Sequence, residues 1–210
     1  MENNNIGRLF IVTAPSGAGK TSLVKALLKL CPQIQISISH TTRYPREDEK
    51  DGVDYFFVNN EIFENLKNNG EFLENAECHG AKYGTAKTPV DSTLKSGKDI
   101  ILEIDYQGAL IVKNIFKEAI SIFIIPPSME ILKQRLVARG QNSIVEINGR
   151  LTAAKEEIRH LEKFDYVIIN ENFDKALDNL KSIYDDSDES KKLVTANQKE
   201  IFQNVINSIK

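Results

Sequence analysis

Between Leu9 and Leu30 the chain reads LFIVTAPSGAGKTSLVKALLKL, an apolar run, a turn of small residues and an amphipathic segment opened by Lys20 and Thr21. The turn comprises Ala14, Pro15, Ser16, Gly17, Ala18, Gly19, Lys20 and Thr21. Gly17 and Gly19 allow close backbone approach, so successive N–H groups can surround a β-phosphate at the start of the following helix. Lys20 adds a point charge for β- and γ-phosphate oxygens, and the Thr21 hydroxyl suits Mg²⁺. The general pattern begins with Gly, where this chain has Ala14. The chemistry expected is binding of a nucleoside triphosphate, with the acceptor of its phosphate left open.

Candidates for an acceptor site follow. Arg43 and Arg46 lie in SISHTTRYPR, with Tyr55 a little further on in DGVDYFF. Two guanidiniums and tyrosine hydroxyls can neutralise and orient a phosphomonoester dianion. On these residues alone, a solvated charge run is an equal reading of RYPREDEKD. Glu103 and Asp105 are two apart at the end of an apolar run, so on a strand they point to one side. Strand carboxyl ends face the ligand in open α/β sheets, although ordinary strand-end carboxylates would look the same. Arg135 and Arg139, four apart, share a helix face, and with Arg150 they flank GQNSIVEING.

The elements that must hold these residues alternate. Short apolar strands are expected at Leu9 onward, near 35–39 (QISIS), at 99–105 (DIILEID), at 119–125 (AISIFII) and at 165–170 (DYVIIN). Their continuous apolarity suits strands covered on both faces of a parallel sheet. Leu23, Val24, Leu27 and Leu28 mark a helix that should stop before Pro32. Ile131, Leu132, Leu136 and Val137 mark another, with Ser128 as N-cap and Gly140 as its end. Ser143 and Glu146 form a capping box for a third, whose Ile147, Leu151, Ala154, Ile158 and Leu161 face the core. This alternation predicts a doubly wound α/β sheet.

Residues 40–90 break the rhythm: turn-rich polar sequence, β-like DYFFV, a short helix around 62–66 closed by Gly70, then EFLENAECHGAKYGT. A small, mostly β insertion is expected there. After the polar DDSDESKK, an apolar helical stripe of Ile201, Phe202, Val205, Ile206 and Ile209 is expected to dock on the body or on another subunit, which would make a homo-oligomer.

Bulk properties set limits. The chain has 210 residues and a net charge of −3, so a nucleic-acid surface, usually basic, is not expected. No signal peptide or membrane-length apolar run is evident, and Cys31 and Cys78 lack metal-type spacing. A reduced, cytoplasmic compartment is the simplest reading. His40, His79 and His160 are scattered, which argues against a histidine metal site.

Three spaced motifs then occur in order: SxSxTTRxPRxxExxGxDYxFV, FLExAxxxGxxYGT and LEIDxQG. With the phosphate turn, they make residues 7–185 resemble the guanylate kinase family, whose bacterial members commonly begin the turn with Ala. The resemblance implies a P-loop NTPase-type five-stranded parallel sheet flanked by helices, with a mostly β GMP-binding lobe and a helical lid. It implies a core of 1–39 and 91–185, a lid near 138–150, a GMP lobe of 40–90, and 186–210 as linker and terminal helix. Arg43, Arg46, Tyr55 and Tyr83 would bind the GMP phosphate. Ser39, Glu74, Thr85 and Asp105 would line the guanine pocket, with Thr85 donating to O6. Arg135, Arg139 and Arg150 would close on ATP, with Asn170 beside the adenine. Glu103 would support Mg²⁺ through water. The implied reaction is phosphoryl transfer from ATP to GMP, with dGMP left open. A kinase for another nucleoside monophosphate and a non-catalytic guanylate-kinase-like binding module are the rival readings, both disfavoured by the residues present.

Overall fold

A computed structural model describes residues 6–78, 80–140 and 143–193 of the chain. Its strands are β1 (Leu9–Thr13), β2 (Gln35–Ile36), β3 (His40–Thr41), β4 (Phe56–Phe57), β5 (Phe72–Cys78), β6 (Ala81–Ala86), β7 (Ile100–Glu103), β8 (Ile120–Ile125) and β9 (Tyr166–Ile169). Its α-helices are α1 (Lys20–Leu30), α2 (Asn60–Asn68), α3 (Lys87–Lys95), α4 (Tyr106–Ile115), α5 (Met129–Ala138), α6 (Ile144–Ile158) and α7 (Phe173–Tyr184). The five-stranded parallel sheet runs β2-β7-β1-β8-β9, and a second sheet of four strands runs β4-β3-β6-β5. The chain divides into two compact units, Met1–Ile11 with Pro32–Ile120, and Val12–Cys31 with Ser121–Lys210.

In the first unit, every residue of β7 before Glu103 is buried, as expected for a strand covered on both faces. Arg8 fastens this strand's start: its backbone N–H donates to Asp99 Oδ1 at 2.7 Å and its Nη2 to Oδ2 at 2.7 Å. The smaller sheet is mostly antiparallel, and its β5–β6 register sets Glu74 directly opposite Thr85 and Ala76 opposite Tyr83. Cross-strand neighbours on one face lie close enough for their side chains to bond. α2 packs Phe63 inward against Phe72, with ring centroids 4.8 Å apart. Asp105 caps α4, accepting from Gly108 N–H at 2.8 Å.

In the second unit, α1 starts at the phosphate turn and buries Leu23, Val24 and Leu27, with α7 packed beside it. Ser128 caps α5, and the α6 capping box is formed by both Ser143 and Glu146. Leu132, Leu136, Ile147 and Ala154 make one apolar cluster, with Leu151 against it. Val137, expected on the core face, is instead exposed, because Leu132 and Leu136 at i, i+4 already fill that face.

Other expectations change in detail. The second strand is only Gln35–Ile36, although Ser37 N–H still bonds Ile101 O at 2.9 Å. β7 ends at Glu103, so Asp105 stands beyond the strand as a helix cap. The polar DDSDESKK is not plain linker: Asp188–Leu193 forms a 3-10 turn against α7 and β9, with Ser190 buried. α3, α4 and α7 are helices that the apolar spacing did not single out. The expected stripe at 201–209, and His79, lie outside the described residues.

Ser143 N–H donates to Glu146 Oε2 at 2.7 Å and Ser143 Oγ to the same oxygen at 2.8 Å. Ser143→Ala should lower stability by about 1 kcal/mol in chemical denaturation. A change below about 0.3 kcal/mol would show the box to be idle.

Candidate active site

The second unit carries the phosphate turn. Ala18 N–H bonds back to Pro15 O at 3.0 Å, and Gly17 and Gly19 take φ values of 92° and 98°. Those are left-handed conformations that glycine adopts without strain. Glycine is needed at 19 for space as well, since a Cβ there would strike Asn170 Nδ2. Asn170 is buried and donates through that nitrogen to Ala18 O at 2.7 Å. Its own carbonyl accepts from Arg135 Nη2 at 2.8 Å. Arg150 Nη1 donates to Ser16 Oγ at 2.7 Å. Arg135 and Arg150 therefore reach the turn or its support, while Arg139 caps α5 in an exposed position. Lys20 and Thr21 open α1, where the helix N-terminus concentrates positive partial charge.

The first unit carries the acceptor candidates in two groups. Glu74, Thr85 and Ser39 are all buried. Thr85 Oγ1 donates to Glu74 Oε1 at 2.5 Å, and Ser39 Oγ lies 3.4 Å from Thr85 Oγ1. Thr85 has one hydroxyl proton, and in this structure it goes to Glu74. Gly108, on α4, faces this carboxylate so closely that a Cβ would strike Glu74 Oε2.

The second group centres on Arg43, whose Cζ lies 5.1 Å from the Tyr55 ring and 5.6 Å from the Phe57 ring. Tyr55 and Tyr83 pack edge to face with centroids 6.0 Å apart. Burial, with Glu103 and Tyr83 nearby, pushes the Tyr55 phenol up to about 12, so it remains a neutral donor. Arg43 and Arg46 both contact Glu49. Burial alone would lower the Arg43 pKa, but its hydrogen bonds to Glu49 outweigh that and raise it.

Several buried polar atoms of these residues have no protein partner: Arg43 Nε, Arg135 Nη1 and Asp105 Oδ2. Buried donors and acceptors are normally satisfied, so such atoms are open to a ligand or to water. Two are guanidinium donors suited to oxyanions, and one is a carboxylate acceptor suited to N–H groups. Among the described residues no three His, Cys, Asp or Glu side chains are grouped to hold a metal ion. Thr21 in one unit and Glu103 in the other are each hard oxygen donors of the kind a divalent cation accepts beside phosphate oxygens and water.

The structure thus gathers Ser39, Glu74 and Thr85, and Arg43, Arg46, Tyr55 and Tyr83, and separately the turn with Asn170, Arg135 and Arg150. Glu49 and Gly108 had no role in the sequence reading, although both are fixed letters of the quoted motifs.

Comparison with known proteins decides the family. The guanylate kinase family model matches residues 6–187. The chain belongs to the guanylate kinase family. It is 57% identical to a guanylate kinase of Methylobacillus flagellatus over 177 residues, covering 84% of this chain and 88% of that one. The guanylate kinase of Nitrosospira multiformis is 49% identical over 192 residues, covering 91% and 90%. A crystal structure of guanylate kinase from Anaplasma phagocytophilum superposes with a TM-score of 0.74 at 33% identity, covering 92% of this chain and 90% of that one. Among the described residues no helix is long and apolar enough to cross a membrane.

Gly108 offers a test of the pocket that this guanylate kinase builds around Glu74. Gly108→Ala can be accommodated only if the Glu74 carboxylate moves, which strains its bond to Thr85. kcat/KM for GMP should fall roughly tenfold or more, while the KM for ATP holds. Unchanged GMP efficiency would show that the carboxylate has room to spare.

Proposed function

We propose that this guanylate kinase uses Glu74 to read the base of GMP, and that the buried Glu74–Thr85 bond is the observation that carries this reading. Guanine presents N1–H and N2–H₂ to a single carboxylate. Adenine would set its acceptor N1 there, leaving a buried charge poorly paired. Thr85 gives its proton to Glu74 and can take one from Ser39 in this structure, and guanine O6 accepts from a hydroxyl of that pair when GMP enters. Asp105 Oδ2, buried and unpaired, adds an acceptor for the N–H edge. Arg43, Arg46, Tyr55 and Tyr83 take the GMP phosphate, within a lobe of residues 40–90.

On the donor side, the backbone from Ala14 to Gly19 cradles the β-phosphate of ATP and Lys20 meets the β- and γ-oxygens. Arg135, Arg139 and Arg150, in or beside a lid near 138–150, stabilise charge on the transferring group. Asn170 serves ATP chiefly by holding the turn through Ala18, a task added to its expected place near the adenine. Thr21, and Glu103 through water, would hold Mg²⁺, which supplies charge neutralisation on the phosphates.

The chemistry needs no protein nucleophile. A loose phosphoryl transition state is accelerated by positioning and charge stabilisation. Groups fixed in advance and shielded from water contribute most to this, and water is also the competing acceptor. The reading supports ATP + GMP ⇌ ADP + GDP.

Glu74→Gln tests the base assignment. It keeps the shape but replaces a charged acceptor with an amide. Losing a charge-assisted bond costs about 1.5–3 kcal/mol, or roughly 10- to 150-fold in kcat/KM for GMP. Discrimination against AMP should shrink, and the KM for ATP should hold. GMP efficiency within about twofold of the parent would remove Glu74 as the guanine reader.

A further inference from the structure

Glu49 sits within RYPREDEKD, a segment that a charge count alone would leave to solvent. The structure buries most of its carboxylate and of Arg43, with side-chain exposures of 15% and 17%. Arg43 Nη1 donates to Glu49 Oε2 at 2.6 Å and Nη2 to Oε1 at 2.7 Å, a two-pronged contact. Oε2 also accepts the Arg46 backbone N–H at 2.8 Å, and Oε1 lies 3.4 Å from Arg46 Nη1. Glu49 N–H returns to Arg46 O at 3.1 Å, closing a local turn. Burial works against the ionised carboxyl, but the Arg43 and Arg46 contacts hold it below the usual carboxylate range.

A guanidinium can offer an oxyanion two parallel N–H bonds from its Nη1/Nη2 end or from its Nε side. In Arg43 the first is taken by Glu49, with Nη1 also donating to Tyr44 O at 2.9 Å. Nε is buried without a protein partner. The planar face is fixed over Tyr55 and Phe57.

We propose that Glu49 is a positioning residue for the acceptor phosphate: by gripping the Nη end of Arg43 and the backbone of Arg46, it presents the Nε side of Arg43 to GMP. The inference rests on the reading of Arg43 as a ligand of the GMP phosphate. Its rival is that Glu49 stands in for the phosphate and is expelled when GMP binds. Expulsion of the side chain would break the two-pronged ion pair and the bond from the Arg46 backbone N–H together, which disfavours it. The two accounts differ in sign, since removing a competitor tightens GMP binding and removing a support weakens it.

The experiment is calorimetric titration of the full-length protein with GMP and with guanosine, which lacks the phosphate, for the parent, Glu49→Gln, Arg43→Met and the double variant. Melting curves check folding, and Glu49→Asp, which keeps the charge, serves if the glutamine variant does not fold. Glu49→Gln should weaken GMP binding by about tenfold or more while guanosine changes by less than about twofold. In the Arg43→Met background the same change should cost less than about threefold, because neighbours that act through one another are not additive. Glu49→Asp should recover part of the loss or, used alone, show a smaller phosphate-specific loss. Unchanged or tighter GMP binding overturns the proposal, and so does an equal loss for guanosine. If Arg43→Met leaves GMP binding intact, the fault lies in the phosphate assignment of Arg43, and the proposal falls with it.

Discussion

Groups that are to meet a phosphate must be in place before it arrives, yet charge buried without a partner is costly. The site residues of this chain are arranged under that constraint, and the two units answer it differently. The second sets neutral groups beside its cations: N–H groups on a glycine turn carry no net charge, Asn170 holds the turn by its Ala18 carbonyl, and Arg135 and Arg150 bond neutral oxygens of Asn170 and Ser16. The first relies on arginine, and an arginine that is mostly buried needs a counter-charge. Glu49 is that counter-charge.

The same constraint explains why glycine appears where it does. At 19 the backbone is left-handed and the space beside it belongs to Asn170, so a side chain would fail on both grounds. At 108 the space belongs to a carboxylate oxygen of Glu74. Neither position is a flexible joint. Each lets a polar group come nearer to backbone than a Cβ would allow.

The phosphate turn was legible in the sequence because strand, turn and helix are contiguous over Leu9 to Leu30, and local rules suffice for contiguous elements. The five-stranded parallel sheet was legible for a similar reason, since its strands are short apolar runs separated by helices. The residues proposed to read guanine were linked only through motif spacing. The pairing that puts Thr85 opposite Glu74 is a register between strands, which no local pattern encodes, so the bond between them was not foreseen. Helix α4 escaped notice because Gly108 sits in its first turn and ALIV reads equally as strand. Glu49 was hidden in a charge run, and only tertiary contact separates a buried ion pair from a solvated one.

The most direct test of the account is ADP release from ATP with Mg²⁺, measured for the parent protein against GMP, AMP, CMP and UMP as acceptors. A pocket in which a buried carboxylate meets guanine N–H donors should give kcat/KM for GMP at least about 10²-fold above that for any other monophosphate. ADP release with AMP within about tenfold of GMP, or none with GMP at all, would contradict it.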